Sequence, residues 1–138
     1  MVQLFGGEVF ILPALAAGIL VSLVELFFVM QDEAGMHPLS HGIHAVPFTL
    51  LFTFLAFNAT WALGIVGYDT NTLFVAGLRV LIGIIAFVKI KAAASLTGKG
   101  RIGESNMHLL IIMALIIGLP YLWETVLVNT PLNDILSL

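Results

Sequence analysis

Residues 9–30 read VFILPALAAGILVSLVELFFVM and contain a single charged residue, Glu25. About 20 apolar residues in a helix cross the hydrocarbon core of a bilayer, so this stretch predicts a transmembrane helix. Pro13 lies near its start, where the missing N–H of proline costs a helix least. With the apolar runs that follow, it predicts an all-α membrane protein: an antiparallel bundle of four transmembrane helices joined by short loops.

The predicted helices form a single transmembrane domain that includes the whole chain, residues 1–138. Each is a long apolar run bounded by polar residues, and the third and fourth are separated by a polar, glycine-rich linker at residues 95–105. The predicted helices cover residues 9–30, 40–66, 73–92 and 106–128.

The composition favours lipid as the main surroundings of the chain. The sequence is 60% hydrophobic and 9% charged, with a mean hydropathy of +1.12, whereas soluble domains carry about 25% charged residues. The formal net charge is −3, and no run of lysine and arginine predicts nucleic-acid binding. The expected partners are the bilayer, other membrane subunits, or further copies of the chain.

The residue types present exclude several kinds of chemistry. There are no cysteines, which rules out disulfides, thiolate metal sites and thiol catalysis. No polar segment carries a Ser-His-Asp set or a phosphate-binding loop. We therefore expect that the chain is not an enzyme by itself, and leave open that it is a subunit of a membrane oxidoreductase.

Small residues at a spacing of four predict close helix packing in the first span. Ala14, Gly18 and Ser22 form such a ridge, which allows two helix backbones to approach in lipid. Glu25 continues the ridge, so its carboxylate is predicted to point at a neighbouring helix.

A second ridge of small residues lies in the second predicted helix, at Ala56, Thr60 and Gly64. Two such ridges on a chain with almost no extramembrane domain suggest a protein that holds partner helices. The first hypothesis is therefore a non-catalytic structural or accessory subunit of a larger membrane complex.

Five polar residues within the predicted spans are candidates for an ion path or for helix pairing. A charge in the bilayer costs a few kcal/mol or more, so it usually faces the interior and finds a partner. Depths along the helices pair Glu25 with Lys89 and Arg79 with Glu124, while Asn58 lies near the middle of its helix. The second hypothesis is a homo-oligomeric proton or cation channel or transporter that uses Glu25 and the cluster of His37, His41 and His44.

That cluster lies in residues 25–44, ELFFVMQDEAGMHPLSHGIH, which join the first two spans. Imidazole and carboxylate ligands at one depth suit zinc, copper or iron, and two histidines on different helices suit haem. The third hypothesis is a metal- or haem-binding subunit of a membrane oxidoreductase. Because the spacing matches no strong metal motif, histidines that merely tolerate the water boundary are the alternative. The metal candidates are His37, His41, His44, His108, Glu25, Asp32 and Glu33, with His44 and His108 as the haem pair.

The few basic residues predict an orientation. Four of the five lie within residues 89–101, between the third and fourth predicted spans. The positive-inside rule places this basic loop and the histidine cluster in the cytoplasm, with both termini outside. The tryptophans and tyrosines lie at or near the opposite interface, as an aromatic belt does; they are Trp61, Tyr68, Tyr121 and Trp123.

Overall fold

The computed structural model describes most of the chain and is mostly helical. The backbone is described for residues 2–4, 7–32, 38–68, 70–97 and 105–136. Side chains are described for residues 4, 7–31, 46–68, 70–92 and 105–136.

The described elements begin with a short antiparallel hairpin, β1 (Val2–Leu4) and β2 (Gly7–Val9), followed by helices. Two of these helices are much shorter than the others, and a turn of 3₁₀ helix at Leu127–Asn129 precedes the last one. The helices are α1 (Ile11–Asp32), α2 (Pro38–Phe57), α3 (Ala59–Ile65), α4 (Thr72–Thr97), α5 (Asn106–Thr125) and α6 (Pro131–Leu136).

Three helical segments of the described chain are long and apolar enough to cross a membrane: Ile11–Gln31, Thr72–Ala92 and Asn106–Asn129. A fourth candidate is the bent pair of Val46–Phe57 and Ala59–Ile65, which passes the same test only when its two parts are taken together. The predicted number of spans therefore matches the structure only if the bent pair forms one span.

The second predicted helix is the one that differs most from the structure. A continuous helix over residues 40–66 is wrong, because the chain bends by 73° between α2 and α3 at Asn58. Pro47, the residue most expected to interrupt a helix, lies inside α2. The break depends instead on hydrogen bonds that the Asn58 side chain makes with the backbone.

The ends of the other helices also differ from prediction. The hairpin was not predicted, because its strands are only three residues long. The helix α4 continues to Thr97, past residue 92 and into the predicted linker, through the strong helix formers Lys91 and Ala92. At the other end of the fold, α5 stops at Thr125 and is followed by the 3₁₀ turn and α6.

The core lies between α1, α2, α4 and α5, with α1 against α2, α2 against α4, and α4 against α5. At two of these contacts a glycine lets the neighbouring helix approach closely. A Cβ on Gly18 would lie 3.0 Å from Cδ2 of Leu50, and a Cβ on Gly83 would lie 2.5 Å from Cδ1 of Ile117. The central apolar cluster is Val21, Phe52, Ala56, Ile82, Ala86, Ile90, Leu109, Ile112 and Ile116.

Candidate functional site

A carboxylate and an imidazole meet in the core of the protein. Oε2 of Glu25, on α1, lies 2.8 Å from Nε2 of His108, in the first turn of α5. The two side chains are 0% and 1% exposed. The position of His108 is set locally, because the hydroxyl of Ser105 caps α5 and accepts a 3.2 Å hydrogen bond from the His108 backbone N–H. Phe28 stacks on the imidazole, with ring centroids 4.7 Å apart.

The geometry of this pair fixes part of its chemistry. Two unprotonated acceptors do not approach to 2.8 Å, so a proton lies between Nε2 of His108 and Oε2 of Glu25. The second oxygen, Oε1 of Glu25, is buried and has no hydrogen-bond partner among the described residues. A buried polar atom without a partner costs free energy, so this oxygen is an unusual feature of a folded core.

The partner of Glu25 differs from the one that depth predicts. Lys89 is exposed, and the carboxylate is paired with His108 instead. Depth along a helix axis says nothing about rotation around it: Ile90 of α4 faces the core, whereas Lys89 beside it faces outward. The prediction that Glu25 points at a neighbouring helix together with the Ala14–Gly18–Ser22 ridge is confirmed, because all four residues are buried.

Three buried hydroxyl groups lie along the contact between α1 and α2, beginning at Ser22, one turn before Glu25; we call Ser22, Thr49 and Thr53 the hydroxyl row. The oxygens of Ser22 and Thr49 are 2.7 Å apart across the contact between α1 and α2. Thr53 follows Thr49 by one turn of α2, and its hydroxyl is buried without a hydrogen-bond partner among the described residues. The two threonines were not predicted as site residues, although their spacing of four within an apolar helix was a signal.

Asn58 holds the break between α2 and α3. Its Oδ1 accepts a 2.7 Å hydrogen bond from the backbone N–H of Phe10, and its Nδ2 donates to the carbonyl of Phe54 at 2.9 Å. The side chain is 99% buried. Broken helices satisfy their freed backbone groups through such side chains when the break is surrounded by protein, so Asn58 links the break to the hairpin.

Arg79 is paired with Glu124, the partner that their common depth predicts. Both terminal nitrogens of the guanidinium contact the carboxylate, one of them at 3.0 Å, and Nε donates to the carbonyl of Ala56 at 3.1 Å. The ring of Tyr121 lies 4.6 Å from the guanidinium carbon. Arg79 is 1% exposed and Glu124 is 42% exposed, so the pair reaches from the core to the surface beside the helix break.

The exposed side of this ion pair opens into a cleft of about 520 Å³. The cleft is formed by the second strand of the hairpin, Phe10, α3, Thr70 in the connection from α3 to α4, and the end of α5. Glu124 lines this cleft, so the ion pair of Arg79 and Glu124 connects the core to it. It is lined by Gly7, Glu8, Phe10, Thr60, Trp61, Gly64, Ile65, Thr70 and Glu124.

Most of the predicted metal candidates lie outside the described residues. Glu33 and His37 have no described backbone, and only the backbone is described for Asp32, His41 and His44. Within the described part of the chain, no group of three or more histidines, aspartates and glutamates is placed to hold a metal ion. The structure brings together two of the candidates, Glu25 and His108.

The sequence and the structure of the chain were compared with those of known proteins. No family model matches the chain, and neither a curated protein nor a solved structure matches it. The chemistry of the site is therefore inferred from its own residues.

Proposed function

We propose that this protein carries protons or cations across a membrane through the interior of an antiparallel bundle of four spans, with Glu25 and His108 as its central ion-handling groups. The observation that carries this proposal is the 2.8 Å contact between two fully buried ionisable side chains, one of which keeps a free oxygen. Ionisable residues inside membrane spans are costly, and they commonly mark ion paths or proton relays.

The other buried polar groups lie along the proposed path. Glu25 and Ser22 lie on one face of α1, and Thr49, Thr53 and Asn58 continue along α2 and its end. At 1.5 Å per residue, these positions span roughly 18 Å of depth, against a hydrocarbon core of about 30 Å. The path ends near the break at Asn58, beside the pair of Arg79 and Glu124 that borders the cleft.

The accessory-subunit hypothesis has less structural support than ion transport. The ridge of Ala14, Gly18 and Ser22 is buried against the chain's own helices, so it does not offer a surface to a partner. In the second ridge Ala56 is also buried, and only Thr60 and Gly64 stay exposed, beyond the helix break. This accessory-subunit hypothesis stays a prediction.

The metal- or haem-binding hypothesis also stays a prediction, because three of its four histidines have no described side chains. For His108 the pairing has one consequence. Nε2 is within 2.8 Å of Glu25, so a haem iron or metal ligated by Nε2 would have to displace that carboxylate.

Flux measured in liposomes tests the proposal. The purified protein is reconstituted with trapped dyes for H⁺, Na⁺ and K⁺, and ion movement is followed after a gradient is imposed. Glu25→Gln is expected to abolish the flux, because the amide keeps the shape of the side chain but removes its charge. Asp134→Asn, an exposed position on α6, is the matched control and is expected to keep it. Wild-type protein that moves none of these ions would refute the proposal.

A further inference from the structure

We infer that the ion carried is the proton, and that it moves between the cleft side and the Glu25–His108 pair along the hydroxyl row. This inference rests on the proposed function and narrows it to one substrate. Two observations support it: the tight contact between two members of the row, and the free oxygens on both sides of that contact.

The contact between α1 and α2 is too close for a metal cation. The hydroxyls of Ser22 and Thr49 lie 2.7 Å from each other, and each also lies within hydrogen-bond distance of a carbonyl of its own helix, Gly18 O at 2.7 Å and Val46 O at 2.9 Å. The helices are held together at this level by Gly18, where a Cβ would lie 3.0 Å from Leu50. A cation that crosses a narrow path needs a ring of oxygens to replace its hydration shell, whereas the two hydroxyl oxygens here are already bonded to each other and to carbonyls of their own helices.

A proton needs only a chain of groups that both accept and donate hydrogen bonds, and hydroxyls do both. The two unpartnered oxygens extend this chain in opposite directions. Oε1 of Glu25 lies one turn from Ser22 along α1, on the His108 side, and Oγ1 of Thr53 lies one turn from Thr49 along α2, on the Asn58 side. Neither oxygen is hydrogen-bonded to the hydroxyl one turn away, so each transfer also requires a side-chain rotation that brings the two groups into contact.

The transfer at the pair conserves protons and charge. A proton from the hydroxyl row bonds to Oε1 of Glu25. The proton between Oε2 and Nε2 moves fully onto the imidazole, and the proton on Nδ1 of His108 leaves toward the side of the basic loop. One proton is taken up and one is released, so the net charge of the pair is the same before and after. Rotation of the carboxyl group and the ring then restores the starting arrangement.

Removal of one hydroxyl tests the inference. Thr53→Val replaces the hydroxyl with a methyl group of similar size, and Thr53→Ser keeps the hydroxyl. Thr125→Val makes the same change at an exposed threonine near the end of α5 and is the matched control. Each variant is reconstituted in liposomes, and H⁺, Na⁺ and K⁺ fluxes are measured under the same imposed gradients.

The expected result is proton flux without Na⁺ or K⁺ flux in the wild-type protein. Thr53→Val loses that flux, while Thr53→Ser and Thr125→Val keep it. Na⁺ or K⁺ flux that Glu25→Gln abolishes, with no proton flux, would overturn this inference and leave the proposed function standing. Proton flux that survives Thr53→Val would overturn the assigned route. Absence of all three fluxes would overturn both the inference and the proposed function.

Discussion

The amide of Asn58 binds the backbone of Phe10 from 48 positions away along the chain. Oδ1 of Asn58 accepts from the Phe10 N–H at 2.7 Å, and Nδ2 of Asn58 lies 3.4 Å from the Phe10 carbonyl. The side chain thus binds both polar groups of one residue, as a neighbouring strand would. This contact joins the hairpin, α1 and the helix break into one unit next to the cleft.

Asn58→Ala is expected to destabilise the protein by about 1–3 kcal/mol, because it leaves the Phe10 N–H buried without a partner. Thermal unfolding in detergent measures the loss. The variant also removes the hydrogen bonds that hold Phe10, at the junction of the hairpin and α1, to the helix break, so protease cleavage near residue 10 should become faster. Asn129→Ala, at an exposed asparagine, is the control and should change neither measurement. Unchanged stability in Asn58→Ala would show that the break holds without the amide.

The pair of Glu25 and His108 is expected to show strong coupling in a double-mutant cycle. Glu25→Leu or His108→Leu alone leaves a buried polar partner and should cost about 3–5 kcal/mol. The double variant removes both groups, so its unfolding free energy should recover to near the wild-type value, while ion flux stays absent. Additive losses in the double variant would contradict the pairing.

Arg79→Lys is expected to destabilise the protein by about 1–3 kcal/mol although the charge is kept. Lysine cannot bind both carboxylate oxygens of Glu124 in a fork and donate to the Ala56 carbonyl as well. Chemical unfolding in mixed micelles measures the difference. Lys89→Arg exchanges the same two residue types at an exposed position of α4 and should shift stability by no more than about 0.5 kcal/mol.

Two glycines of α4 are expected to respond to alanine in opposite directions. At Gly83 a Cβ would lie 2.5 and 2.6 Å from Cδ1 and Cγ1 of Ile117, so Gly83→Ala should cost about 1–3 kcal/mol. At Gly77 a Cβ meets nothing within 4 Å, so Gly77→Ala should stabilise the helix by up to about 1 kcal/mol. Melting temperatures compare the two, and Ile117→Val should restore part of the loss in Gly83→Ala.

The proposed orientation is testable because the chain has no cysteine of its own. Two variants carry one cysteine each, at Gly100 in the basic loop or at Asn129 after α5. They should react with a membrane-impermeant maleimide from opposite sides of the membrane. In intact cells we expect labelling at residue 129 and none at residue 100 until the cells are opened. Labelling of both from outside would refute the arrangement of spans.

The sequence was sufficient for the long helices, because a bilayer requires long apolar runs and these leave a clear pattern. It was not sufficient for the break at Asn58. A single amide within an apolar run can pair with another helix or with freed backbone. Which of these occurs depends on Phe10, a residue far away in the chain. The pattern of α2 alone therefore predicts a straight helix.

The site was partly predictable from the positions of its residues along the helices. Burial of Glu25 follows from its position on the ridge of small residues, and a common depth is enough to match Arg79 with Glu124. The pairing of Glu25 with His108 could not be predicted, because it depends on how α4 and α5 are rotated about their axes. Side-chain packing determines that rotation. Thr49 and Thr53 gave a weak signal, because threonine in an apolar helix often bonds only to its own backbone.

The contact between Phe10 and Asn58 also imposes an order of events on biosynthesis. The hairpin is made first, but its acceptor is made 48 residues later. At about 5–20 residues per second, the first span and the hairpin therefore wait roughly 2–10 s for Asn58 to be synthesised. Translation speed across α1 and α2 thus sets how long the new hairpin stays undocked and open to chaperones and proteases.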